Sequence, residues 1–224
     1  MPSTHAVAFD HARPPQVILF NPARVLPTRP VLLKLARDTQ LVVQGDPADY
    51  HYRVSSGCLR SLRLLDDGRR QIGEFLLPGD IFGWESLDEH EFGAEAVTDL
   101  VVERFPAASL AERMQRDLAT CDDTSRHLAA QVRRARQHVV LLGRSSAAER
   151  IAAFLLDMSG RLASGPDRTV TLPMNRIDIA DYLGLTIETV CRRLMDLHRT
   201  GVIQVDRSRI AILRPAALQV RCCA

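Results

Sequence analysis

Glu188, Cys191 and Arg192 fall at i, i+3 and i+4, a spacing that brings side chains to one face of a helix. Together they offer a carboxylate acceptor, a small thiol and a guanidinium fork. An Arg fork matches the O6 and N7 acceptors of guanine, and a Glu accepts from the N4 amine of cytosine. The same Glu–Arg pair is also a common solvent-facing decoration of helices. The elements around it decide between the two.

Those elements read MNRIDIADYLGLTIETVCRRLMDLHRTGVI over 174–203. Asn175 is placed to cap a short helix with Asp178 at its N3 position, and Ile179, Ala180 and Leu183 give that helix an apolar face. Gly184 permits a tight turn, and Thr186 caps a second helix. On the second helix Ile187, Val190, Leu194 and Leu197 form an apolar stripe, opposite Glu188, Cys191, Arg192, Met195 and Arg199. This is a helix–turn–helix pattern, whose second helix enters the DNA major groove. After Gly201, the runs 202–205 and 210–213 flank Asp206, Arg207, Ser208 and Arg209 like a wing hairpin. Arg176, Thr186, Arg199, Arg207 and Arg209 are candidates for phosphate contact, which positions a protein without specifying sequence.

Upstream, Ser146 and Glu149 make a capping box, followed by an amphipathic helix through Ile151, Phe154, Leu155, Met158 and Leu162. Residues 164–167 break it, and a short strand is expected over 169–172. A longer helix is expected from a cap at Asp122 or Asp123 to about Leu142. Its Leu128, Val132, Ala135, Val139 and Leu142 recur at alternating steps of 4 and 3, a seam that suits a partner helix. From about Leu41 to Val102 the texture is β, with Asp67-Gly68 read as a type I′ hairpin turn and Pro78-Gly79-Asp80 as another turn. Such a run of short strands suggests an antiparallel barrel or sandwich.

Composition excludes several classes. The 46% hydrophobic and 25% charged content suits a globular protein rather than a disordered one. No apolar run approaches the roughly 18–20 residues of a membrane helix, and Asp10, His11 and Arg13 interrupt any signal-peptide core. A cytoplasmic, reducing location is therefore expected for Cys58, Cys121, Cys191, Cys222 and Cys223, which have no CxxC spacing for zinc. No two histidines lie two apart, and no Gly-rich phosphate loop stands out, so a barrel enzyme is not expected. The net charge of +2 says little alone. From Arg144 onward, however, 12 Arg face 8 acidic residues, against 17 basic and 19 acidic before it, a basic C-terminal part that suits a nucleic-acid partner.

The chain resembles the Crp–Fnr superfamily of bacterial transcription regulators, and within it the FixK-type subgroup. The resemblance is carried by GRRQI at 68–72, LLPGDIFG at 76–83, AEAV at 94–97, ERIAAFLLDM at 149–158 and DIADYLGLTIETV at 178–190. It implies an α+β fold: an N-terminal antiparallel β-roll (a double-stranded β-helix), a long dimerisation helix and a C-terminal winged helix–turn–helix. The expected division is a leader over 1–15, a β-roll effector-like domain over 16–118, a dimerisation helix over 119–143 and a DNA-binding domain over 144–224. It also implies a homodimer on a palindrome like TTGAT-N4-ATCAA, recruiting RNA polymerase in low-oxygen or nitrogen-related control. The family's E-x-x-S-R reading motif maps onto Glu188, Cys191 and Arg192, with Cys191 departing from the usual Ser.

The family's cyclic-nucleotide pocket uses an Arg-Ser or Arg-Thr pair, where this chain has Phe92-Gly93 before Ala94. Glu85 remains as a lone carboxylate there. Residues 1–57 hold no cysteine for an iron–sulfur cluster. No cofactor or metal is therefore expected. The alternative is the same architecture gated by another ligand such as haem, with His51, His90, His127 and His138 as candidate axial ligands.

Overall fold

A computed structural model describes residues 30–84, 86, 88–109, 118–144, 146–162 and 169–222. The leader expected over 1–15, Glu85 and the break expected at 164–167 lie outside them.

Alternation of apolar and polar residues builds the N-terminal part. Strands β1 (Val31–Leu35), β8 (Leu100–Pro106), β3 (Tyr50–Ser56) and β6 (Ile81–Phe82) form one four-stranded sheet in that order. Strands β2 (Gln40–Val42), β7 (Gly93–Ala96), β4 (Leu59–Leu64) and β5 (Arg70–Leu76) form a second. Every described pairing is antiparallel. Val54, Leu59, Leu76, Phe82, Leu100 and Val102 meet in the core of this part. These are the two facing sheets of a β-roll, not a closed barrel.

The β4–β5 hairpin corrects the expected type I′ turn. Gly68 N–H donates to the Leu65 carbonyl, and Leu65 N–H to the Arg69 carbonyl. Gly68 alone in the loop takes positive φ, at 80°. This is a three-residue loop closed by a glycine bulge, because Asp66 lengthens the turn by one residue. Cys58, between β3 and β4, is core at 1% exposure.

Helix α1 (Leu118–Arg144) begins before Asp122, so neither Asp122 nor Asp123 caps it. Asp122 instead pairs with Arg126 one turn on, at 2.5 Å. The helix lies against the β-roll through Gln131, which donates to the Ile81 carbonyl at 2.9 Å, and Arg134, which donates to Asp80 at 2.7 Å. Helix α2 (Ala147–Leu162) starts at the expected capping box, with Ser146 and Glu149 bonded in both directions.

The C-terminal part contains β9 (Thr169–Thr171), α3 (Arg176–Leu183), α4 (Ile187–Arg199), β10 (Ile203–Asp206), β11 (Arg209–Ile212) and α5 (Pro215–Cys222). The wing has a third strand, because β11 pairs with β9 as well as β10. Its strands run one residue closer to the turn than expected, leaving Arg207 and Ser208 at the tip.

The hydrophobic core crosses the boundary between the two parts. Phe75 and Leu76 are consecutive, so they face opposite sides of β5. Leu76 joins the β-roll core, while Phe75 joins the cluster of Phe154, Leu155, Ile179, Leu183 and Leu194.

Candidate nucleic-acid interface

Local capping places α3 and α4. Asn175 is extended, and its side-chain oxygen accepts from Asp178 N–H at 2.8 Å. Gly184 ends α3 in the left-handed region at φ 60°, a conformation that costs most side chains steric strain. Thr186 Oγ1 then accepts from Thr189 N–H at 3.2 Å to open α4. Val190, Leu194 and Leu197 are buried, as the stripe requires. Ile187 is not: at 39% exposure it stands at the first turn's edge, outside the packed stripe.

Glu188, Cys191, Arg192, Met195 and Arg199 are all exposed, on the face opposite the buried stripe. The backbone N–H of Glu188 itself, then the Thr186 hydroxyl, hold the Glu188 carboxyl below the usual carboxylate range. The cap that starts α4 thus also favours the ionised acceptor. Arg193 meets Asp196 at 3.3 Å, while Arg192 acts on Glu188 through space.

The candidate phosphate contacts fall into two groups. Thr186, Arg199, Arg207 and Arg209 are exposed, on α4's two ends and the wing. Arg176 is half-buried and donates to the Arg207 carbonyl at 3.0 Å, so it braces the wing against α3. Arg207 has positive φ, at 54°, at the wing tip.

On α1, Leu128, Val132 and Leu142 are half-buried by their own chain, and Ala135 is exposed. Val139 is 69% exposed and Val140 66%. This end of α1 therefore presents large apolar side chains outward.

A cavity of about 300 Å³ lies between the β-roll and α1, lined in part by Phe82, Phe92, Val132, Arg134, Arg161 and Tyr182. The Phe92 ring stands where the resemblance places a phosphate-binding guanidinium, and it covers Gly73 closely: a Cβ there would lie 2.9 Å from the ring. Of the three arginines that line the cavity, Arg134 and Arg161 already meet Asp80, at 2.7 Å and 2.6 Å, while Arg136 is exposed.

The candidate haem histidines divide between the β-roll, where His90 acts on His51 through space, and α1. His51 and His90 are buried in the β-roll, where burial lowers both imidazoles. His127 is half-buried on α1, and His138, further along α1, stacks on Tyr182 of α3 at 4.0 Å. Among the described residues no group of three His, Cys, Asp or Glu could hold a metal ion. No described helix is long and apolar enough to cross a membrane.

Sequence reasoning missed two sets of contacts. Arg150 donates to the Leu142 carbonyl and the Leu183 carbonyl, both at 2.8 Å, tying the ends of α1 and α3 together. Arg60 and Arg70 of the β-roll reach Asp178 and Asp181 of α3. The partners are far apart in sequence, and Asp178 already had a local explanation as a helix-start residue.

Known proteins share this arrangement. Residues 149–221 match the Crp-like helix–turn–helix domain, and 32–117 the cyclic nucleotide-binding domain. The chain is 44% identical to the nitrogen fixation regulation protein FixK of Rhizobium meliloti (strain 1021), over 82% of this chain and 83% of that protein. It is 40% identical to FixK of Azorhizobium caulinodans, over 92% and 82%. The solved structure of FixK2 from Bradyrhizobium japonicum superposes with a TM-score of 0.78 at 40% identity, covering 85% of this chain and 96% of that one. This chain belongs to the FixK-type subgroup of the Crp–Fnr transcription regulators, not to an enzyme family, and its helix–turn–helix is of the family's DNA-binding type.

Proposed function

We propose that this regulator binds a palindrome like TTGAT-N4-ATCAA as a homodimer, acts in the cytoplasm and recruits RNA polymerase, chiefly as an activator. The observation that carries this reading is the exposed Glu188, Cys191 and Arg192 face on a helix whose other side is buried. In this reading Arg192 takes guanine and Glu188 cytosine. Arg176, Thr186, Arg199, Arg207 and Arg209 hold phosphates. The dimer axis runs along α1 through Leu128, Val132, Ala135, Val139 and Leu142, two-fold like the site it reads. The names of the FixK relatives support a role in nitrogen-fixation gene control, and low-oxygen control is proposed alongside it. The division proposed with it is a leader over 1–15, an effector-like domain over 16–118, a dimerisation helix over 119–143 and a DNA-binding domain over 144–224.

The phenyl ring of Phe92 and the engagement of Arg134 and Arg161 by Asp80 support action without a cyclic nucleotide. Selection of sites from random duplexes by purified aerobic protein tests all of this. Enrichment of a palindrome, unchanged by added cyclic AMP, is expected. No enrichment, or enrichment only with the nucleotide, contradicts it. Transcription with purified bacterial RNA polymerase should then rise on a promoter carrying the selected site; unchanged output removes the activator role.

Cys191 tunes this binding. Its exposed sulfur attacks peroxide, breaking the O–O bond, forming sulfenic acid and releasing water. The added bulk stands where the helix meets bases. Graded peroxide should abolish DNA binding by the wild type, with rescue by thiol reductant at low dose, and spare Cys191→Ser. Equal sensitivity of the two proteins rules Cys191 out.

A further inference from the structure

Among the described residues the most buried charged side chain, Asp178, belongs to a cluster that joins the β-roll to α3 rather than facing DNA. Asp178 of α3 has a side chain only 1% exposed. Its carboxylate accepts from Arg60 Nη1 at 3.2 and 3.1 Å through its two oxygens, and from Arg70 Nη2 at 2.7 Å. Arg60, itself 8% exposed, is held from behind by Glu95 at 2.6 Å. Arg70 reaches on to Asp181 at 2.8 Å, and Gln71 donates to the Asp181 carbonyl at 2.7 Å. All the donors belong to β4 and β5. Both carboxylates on α3 belong to the helix that precedes α4.

We propose that Arg60, Arg70 and Gln71 are positioning residues: a clamp that fixes the attitude of the α3–α4 unit on the β-roll. The clamp thereby sets the spacing between the two reading helices of a dimer. This rests on the reading of α4 as the DNA-contacting helix of a homodimer.

The geometry gives three reasons. First, the apolar contact beside the clamp, Phe75 on Tyr182 at 5.2 Å, is non-directional and tolerates sliding. Guanidinium–carboxylate bonds are directional, and they admit few orientations of α3. Second, the central pair is buried, so salt screens it weakly. Separating Arg60 from Asp178 takes away one of the two guanidiniums that neutralise a carboxylate only 1% exposed. Third, α4 follows α3. They share a core through Ile179, Leu183, Val190 and Leu194, and Gly184 joins them by a tight turn. Arg150 holds the far end of α3 at the Leu183 carbonyl, so α3 is fixed at both ends. In a two-fold dimer, any rotation of α3 on the β-roll moves the two α4 helices relative to each other. The β-roll then sets the reading geometry through its own side chains, with no bound ligand required.

The test uses the full-length protein and palindromes with the selected half-sites, their spacer one base shorter, unchanged or one base longer. Arg60→Met and Arg70→Gln are compared with the wild type. The wild type should bind one spacer much more tightly than the other two. Each variant should lose roughly tenfold in affinity for that spacer, within the usual range of coupling between distant parts. Each should bind the other two nearly as well as the preferred one. Base preferences within a half-site should not change. A merely structural role would lower Tm and weaken all three spacers in parallel, and that outcome overturns the clamp. So does an unchanged spacer profile in Arg70→Gln. If Arg60→Met does not fold, Arg70→Gln decides alone, because Arg70 and Asp181 are each about a quarter exposed and Arg60 still neutralises Asp178. If the wild type binds no palindrome at all, the DNA-reading assignment of α4 fails instead.

Discussion

Helices α3 and α4 are neighbours across a single glycine turn, yet they treat charge in opposite ways. On α3, Asp178 and Asp181 meet arginines of the β-roll, and Asp178 is almost wholly buried. On α4, Glu188, Arg192 and Arg199 stand in solvent. Buried, matched charges resist movement, because breaking a pair leaves an uncompensated ion in a poor solvent for it. Exposed charges hold nothing in place, since surface pairs contribute little to stability. They remain available to a partner. One helix of the motif is built to be held, the other to touch.

The largest effect on this contrast should come from the hidden side of α4. Leu194 is 4% exposed in the shared core. Leu194→Ala should destabilise the protein by about 2–5 kcal/mol, measured by urea unfolding. A cost within experimental error of zero would mean that the buried stripe does not seat α4. A smaller effect is expected at the wing. Arg209→Ala removes one exposed cation. It should weaken binding to every sequence about equally and lower the salt slope by about 1. A loss confined to one base position would move Arg209 from phosphate to base contact.

The smallest effect concerns the held helix and pH. Burial pushes the His138 imidazole, stacked on Tyr182, down from 6.5 to about 4. The unfolded chain then takes up its proton first on acidification. His138 should therefore leave stability intact above pH 6.5 and erode it as pH falls towards about 4. Unfolding curves across that window should slope less steeply for His138→Phe than for the wild type. Equal slopes would mean that His138 is not what acid acts on.

Much of the α3–α4 unit was legible because its rules are local. Asn175, Gly184 and Thr186 each act within four residues of themselves, and a periodic stripe marks what must be buried. The clamp was not legible for the opposite reason. Arg60 and Asp178 are 118 residues apart, and Asp178 at a helix start needs no partner to be explained. The start of α1 was misplaced because Asp122 resembles a cap, while the helix continues upstream of it to Leu118. Asp67-Gly68 suggested a two-residue turn, but hydrogen bonding across the loop enlists Asp66 as well. The shared core was hidden in the consecutive residues Phe75 and Leu76, which serve different neighbours. Sequence alternation shows that two faces exist, not what covers each.

The most direct measurement of the central claim is site selection from random duplexes, run in parallel with wild type and Arg192→Ala. The wild type should enrich a palindrome carrying one strongly selected guanine in each half. Arg192→Ala should cost about 1–3 kcal/mol on that site and lose selection at the guanine alone, with the rest of the half-site kept. If Arg192→Ala still selects the guanine as strongly as the wild type, α4 does not read DNA through the face assigned to it.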